Sequence, residues 1–219
     1  MFTGYSDQTV DFFWGIRLNN SREWFNPRKE EFQACIMQPT KELAGELYDW
    51  FCETHPELHL NLHISRIYRD ARRLFGRGPL KENLWFSFQN EVNSTDAPCF
   101  WFEIGCEGYG YGSGYWANAA AAQRFRRQID NDPAPMMKLA KKFAAQDTFL
   151  LEGPTYAKPK GHTDDLLGGW YNRKWVSLAC HRPYDSLSYS PALVDALKEG
   201  FTFLLPYYRY LDQIYRSAD

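Results

Sequence analysis

Residues 66–81, RIYRDARRLFGRGPLK, set six cations (Arg66, Arg69, Arg72, Arg73, Arg77 and Lys81) against one carboxylate, Asp70, in a chain whose formal net charge is only -2. Guanidinium groups fork onto carboxylate or phosphate oxygens and are weakly hydrated, so such a cluster suits an anion site. On an extended strand Arg66 and Arg69 would face opposite ways, whereas a turn would let Arg69, Asp70, Arg72 and Lys81 converge. In that arrangement Arg69, Arg72 and Lys81 hold the anion and Asp70 orients the arginines. Two other readings stay open: an ion-pair network reaching Glu23 or Glu103, and a basic surface that docks a protein or RNA.

Other residue patterns carry weaker chemistry. His162 lies in PKGHTDD beside Asp164 and Asp165, a setting that suits general acid or base work. His55, His59 and His63 recur every fourth residue, but on a strand His59 and His63 stand ~13 Å apart, too far to share a metal. Cys180 and His181 are sequence neighbours, and on a strand they face opposite ways, so they make no local thiol–imidazole pair. Gly108, Gly110, Gly112 and Gly114 recur every second residue and form neither GxGxxG nor a Walker loop. We assign no metal, and the residues leave any cofactor unknown.

These side chains need elements to position them. Val10, Phe13, Trp14 and Ile16 predict a helix over 7–18. Asn20-Ser21-Arg22-Glu23 has the form of a capping box with Asn20 as cap, followed by Trp24 and Phe25. Asn26-Pro27 opens a further helix, with Phe32, Cys35, Ile36, Leu43, Leu47, Trp50 and Phe51 on one stripe, and Pro39 should kink or divide it. Leu58, Leu60, Leu62 and Ile64 alternate with polar residues and predict a strand over 58–64, after which Arg66 demands either a bulge or a buried partner. Gly76, Gly78 and Pro79 mark a turn before a second strand with Leu84, Phe86 and Phe88 inward. Residues 91–98 read as a polar loop.

The run 100–111 reads as one strand. It puts Phe100, Phe102, Ile104 and Cys106 on the core face, continued by Gly108, Gly110 and Gly112, with Trp101, Glu103, Glu107, Tyr109 and Tyr111 opposite. Glycines there imply close approach of a backbone or a ligand. Helices follow from about Asn118 (Ala121, Ala122, Phe125, Ile129) and over 135–145 (Met136, Leu139, Ala140, Phe143). A short strand over 148–151, a helical turn over 164–171, an alternating strand over 175–180 and a last helix opened by Ser190-Pro191, with Pro206 inside it, complete the chain.

Several of these residues also form a recognisable set. NNSREWF with Lys29, RIYRDAR with Pro79 and Lys81, the glycine run ending GSGYW, Arg126 with Ile129 and Asp130, Gly153 before PKGH, and Lys174 together span nearly the whole length. On them the chain resembles a bacterial and fungal domain-of-unknown-function family, a conserved hypothetical protein. It departs from that pattern at Arg73, Leu74 and Phe75. The resemblance implies the fold and the location of the site, and brings no activity with it.

Composition narrows the classes. The 219 residues suffice for one self-sufficient domain. Aromatics make up 17% and are spread along the chain, which fits an aromatic core better than a stacking platform. A pI near 6.2 argues against duplex DNA as a partner. Five cysteines without a CxxC pair read as reduced thiols, and no apolar run is long enough to span a membrane, so we expect a cytoplasmic protein with no membrane association.

The expectation is a single α+β domain over 1–219, a mostly antiparallel sheet packed against several helices. Its cleft binds a phosphate- or carboxylate-bearing small molecule where Arg66, Arg69, Asp70, Arg72 and Lys81 meet Asn20, Glu23 and Trp24 and the turn at Gly114 and Tyr115. Trp24 and Tyr115 would form its apolar wall. Whether the chain catalyses a reaction is left undecided by the residues, and a protein or RNA partner is the alternative.

Overall fold

Helix α1 (Asp7–Leu18) buries Phe12, Phe13 and Ile16. Its phase differs slightly from the periodicity: Phe12 takes the inward place expected of Trp14, which lies exposed under the Arg17 guanidinium, 4.9 Å from its ring centre. In this computed structural model residues 1–90, 97–162 and 165–217 are described, Arg73 by its backbone alone. The polar loop expected over 91–98 therefore falls largely outside the described residues, as do Thr163 and Asp164.

The next helical run is built in pieces. Ser21, not Asn20, caps α2 (Arg22–Phe25) by accepting the Trp24 N–H at 3.1 Å. A 3-10 turn at Asn26–Arg28 leads into α3 (Lys29–Phe32), a π-helical stretch at Gln33–Met37 and then α4 (Gln38–Thr54). The division expected at Pro39 is this widened stretch just before it. Proline has no N–H to offer the Cys35 carbonyl four residues back, and that carbonyl accepts the Thr9 hydroxyl at 2.7 Å.

Strand β1 (Asn61–Ile64) is shorter than the alternation suggested. Pro56–Leu58 forms a 3-10 turn and His59 is left-handed, at φ 48°, so the burial of Leu58 and Leu60 reflects a turn folded onto the core. Beyond β1, Ser65 is buried and Arg66 exposed. The register is thus reset by ending the strand, and Arg66 needs no buried partner.

Strand β2 (Asn83–Gln89) turns Leu84, Phe86 and Phe88 inward as expected. The run read as one strand is a hairpin, β3 (Cys99–Gly105) and β4 (Gly108–Tyr115). Its turn at Cys106 and Glu107 reverses parity, so Tyr109 and Tyr111 are buried like Phe100 and Phe102, and Tyr109 stacks on Phe102 at 6.1 Å. The glycines accordingly share the Trp101 and Glu103 face, not the core face. A close backbone does approach them: a Cβ on Gly108 would lie 2.1 Å from the Arg182 carbonyl oxygen, and one on Gly112 would lie 2.1 Å from that of Leu178.

Both carbonyls belong to β6 (Val176–Arg182), which is buried on both faces over Val176–Cys180 and is not half-exposed. Strand β5 (Leu150–Glu152) pairs antiparallel with it, Leu151 opposite Leu178. The strands form one antiparallel sheet of order β1-β2-β3-β4-β6-β5. Helix α5 (Ala119–Asn131), capped by Asn118, buries the four residues expected; α6 (Pro133–Ala144) is capped by Asp132; α7 (Gly168–Tyr171) is one turn; α8 (Ala192–Arg216) contains Pro206. The α+β class and the helix-covered antiparallel sheet expected from the sequence are the observed architecture.

By its internal contacts the chain divides into two compact units. The first comprises Met1–Phe88, Phe102–Gly110 and His181–Glu199, with a core around Phe12, Phe25, Phe32, Phe86 and Phe102. The second comprises Gln89–Trp101, Tyr111–Cys180 and Gly200–Asp219. Its core is also aromatic: Tyr208 stacks on Phe100 at 4.6 Å, Phe203 on Phe149 at 5.5 Å and Tyr207 on Trp170 at 6.0 Å. Among the described residues no helix is long and apolar enough to cross a membrane.

Candidate functional site

Residues 66–81 leave the sheet as a loop and return beside themselves. The Arg69 N–H donates to the Pro79 carbonyl and the Lys81 N–H to that of Ile67, each at 2.8 Å, around an antiparallel bridge between Tyr68 and Leu80. Asn20 pins this return. Its carboxamide donates to the Leu80 carbonyl at 3.0 Å and accepts the Leu80 N–H at 2.9 Å, with Gly78 held so close that a Cβ there would meet the Asn20 side chain at 2.3 Å. Asn20 therefore acts as a backbone clamp, and the adjacent serine takes the capping role. Asn20→Ala leaves a half-buried peptide group without its partner and is expected to destabilise the fold by ~1–3 kcal/mol in urea unfolding.

Within the first unit this return borders an open cleft of ≈ 890 Å³. Arg69, Arg77 and Lys81 line it from the loop, Asn83 and Trp85 from β2, Glu103 from β3 and His181 from the end of β6. Arg69, only 17% exposed, is fixed by its Nε–H donating to the Leu80 carbonyl at 2.8 Å and lies 3.9 Å from Glu82. Arg17 ties Glu82 and Glu107 together, at 2.8 Å from each. The ion-pair network proposed from sequence thus exists, but it runs through Glu82 rather than Glu23 or Glu103.

Lys81 is the unusual group. Its ammonium lies 5.4 Å from the Trp85 ring centre and forms no ion pair among the described residues. Burial pulls its pKa down to about 8; Glu103 opposes this, and the nearby charges of Arg69 and Arg66 add to it. Glu103 is pushed the other way, upward, by burial, and is partly held back by a hydrogen bond with Asn83 and by His181 and Lys81. A cation biased toward its neutral form beside a carboxyl biased toward its acid form is an arrangement able to bind an anion or to move protons.

The remaining sequence candidates lie elsewhere. Arg72 is 87% exposed and folds back on Asp70 at 2.7 Å, while Asp70 also accepts the Arg72 backbone N–H. Both sit at the loop tip and neither lines the cleft. Arg66 is exposed and acts on Lys81 only through its charge. Glu23 is exposed in the first turn of α2; Trp24 covers Gly15, packs 5.4 Å from Phe12 and carries Arg28 over its ring at 4.7 Å. The aromatic residues lining the cleft are Trp85 and Tyr109, whereas the sequence gives that place to Trp24 and Tyr115. Gly114 and Tyr115 belong to the second unit, where Tyr115 is buried and the Trp116 indole lies against Gly114.

Trp85, Asn83, Glu103 and His181 went unassigned to the site by sequence. Their common signal is parity: each is the outward neighbour of a buried residue, Leu84 and Phe86, Phe102, or Cys180. His162 does find acids, 3.0 Å from Asp165 and 3.6 Å from Asp130, but in the second unit. Among the described residues no group of three or more His, Cys, Asp or Glu is placed to hold a metal ion.

Residues 8–210 match the family described as Conserved hypothetical protein (DUF2461). The chain belongs to this family. Among curated proteins none matches it. The membership agrees with the resemblance carried by the NNSREWF and RIYRDAR segments and leaves the reading of the cleft to its own chemistry.

Proposed function

We propose that this is a cytoplasmic protein whose first unit binds a small molecule bearing a phosphate or carboxylate in the cleft of Arg69, Arg77 and Lys81. The observation that carries the reading is Lys81, a half-buried ammonium without an ion pair among the described residues, flanked by the positive charge of Arg69 and Arg66. An incoming anion would relieve that repulsion and be held by a guanidinium already fixed in place, so little ordering is lost on binding. The location is supported by cysteines that form no disulfide among the described residues.

Phosphorylated metabolites, nucleotides, sugar phosphates and dicarboxylates, tested by thermal shift on the full chain, should include compounds that raise Tm at neutral pH. That rise should shrink as pH passes above about 8, where Lys81 loses its charge. Silence across the panel would contradict the reading.

A contact surface for a protein or RNA is favoured by a separate observation at the loop tip, where Phe75 is 83% exposed close to the exposed Arg72. Binding of that kind would weaken steeply as salt rises, whereas a half-buried anion site would be much less sensitive.

A further inference from the structure

Lys81 is the one lysine among the residues lining the cleft, and the groups around it are those that amine chemistry needs. Fixed cations sit on one side, an aromatic ring shields it, and the Glu103 carboxyl on β3 and the His181 imidazole at the end of β6 line the same cleft. Resting on the anion-site reading, we propose that the Lys81 amine forms an imine with an aldehyde or ketone that also carries a carboxylate or phosphate, with Glu103 and His181 handling the protons.

The step balances without any further reagent. The amine lone pair attacks the carbonyl carbon, the π pair moves to oxygen, and that oxygen takes the Glu103 carboxyl proton. Nitrogen gives a proton to His181, leaving a carbinolamine. The His181 imidazolium then protonates the hydroxyl, which departs as water as the nitrogen lone pair closes the C=N bond. The last N–H proton returns to Glu103, so amine and carbonyl become imine and water. Arg69 would hold the anionic end of the substrate, and the same positive charge favours the neutral, nucleophilic amine.

The test incubates the full chain with glyoxylate, an aldehyde bearing a carboxylate, reduces with borohydride and maps the modified lysines. In parallel, inorganic phosphate and glyoxylate are tested for a rise in Tm. The expected result is an adduct at Lys81 formed on the order of a hundredfold faster at neutral pH than at the other lysines, because far more of this amine is unprotonated. The adduct should be absent from Lys81→Arg, checked for folding by circular dichroism. Wild-type mapping alone decides the matter if that variant does not fold. Adducts spread evenly over the lysines, with phosphate still raising Tm, would overturn the imine and leave the anion site standing. Even adducts with no response to phosphate or glyoxylate would overturn both.

Discussion

Gly112→Ala is expected to destabilise the protein by more than ~3 kcal/mol, enough to remove most of the folded population of a marginally stable chain. The added Cβ would stand 2.1 Å from the Leu178 carbonyl oxygen and 3.0 Å from its carbon. Those are backbone atoms of β6, buried on both faces, so neither strand can give way cheaply. Gly45→Ala is the opposite case. Nothing lies within 4 Å of a Cβ at that position in the interior of α4, and alanine should stabilise by ~0.5–1 kcal/mol. Urea midpoints of the two variants measured beside the wild type check both signs. A wild-type midpoint for Gly112→Ala would mean that β4 and β6 do not approach as described.

Arg69→Ala is expected to lower affinity for an anionic ligand by at least about tenfold, and Arg72→Ala to leave it within about twofold, a contrast set by burial and partners rather than by charge. Both residues carry the same charge and lie three apart in the same loop. Arg69 is held by the Leu80 carbonyl at the wall of the cleft, so removing it takes away a preorganised cation. Arg72 points to solvent and is engaged by its own neighbour Asp70. Titration calorimetry with a ligand found by thermal shift measures both. Equal losses would point instead to the exposed loop tip as the binding surface.

How much of this was legible depended on whether one signal stood alone. Helix α5 was read correctly because an asparagine cap and a single 3.6-residue stripe agree. Asn20 was misassigned because two good caps adjoin, and only the fold reveals that Leu80 claims one of them. The β3–β4 hairpin was hidden because Cys106-Glu107 carries no familiar turn chemistry, and alternation runs on through it while the parity silently inverts. The charge cluster points to a loop that borders a cleft. It could not say which cations turn inward, since that is settled by single contacts such as Arg69 to Leu80 and Arg72 to Asp70. Glu103 and His181 join the cleft only once β3 and β6 are placed, and no local spacing links them.

If Lys81 is held partly desolvated for an incoming anion, as proposed, its own titration will report it. We would follow the Lys81 ε-methylene resonance by NMR across alkaline pH, with and without saturating inorganic phosphate. The midpoint is expected at about 8 in the free protein, well below the ordinary lysine value of about 10.4, rising when phosphate binds because a bound anion favours the ammonium. The same depression makes the folded chain bind fewer protons than the unfolded one between those two values. Lys81 therefore weakens the fold at neutral pH, and this penalty is relieved as pH climbs from about 8 toward about 10.4. A midpoint in the ordinary lysine range, unmoved by phosphate, would rule out an anion site at Lys81.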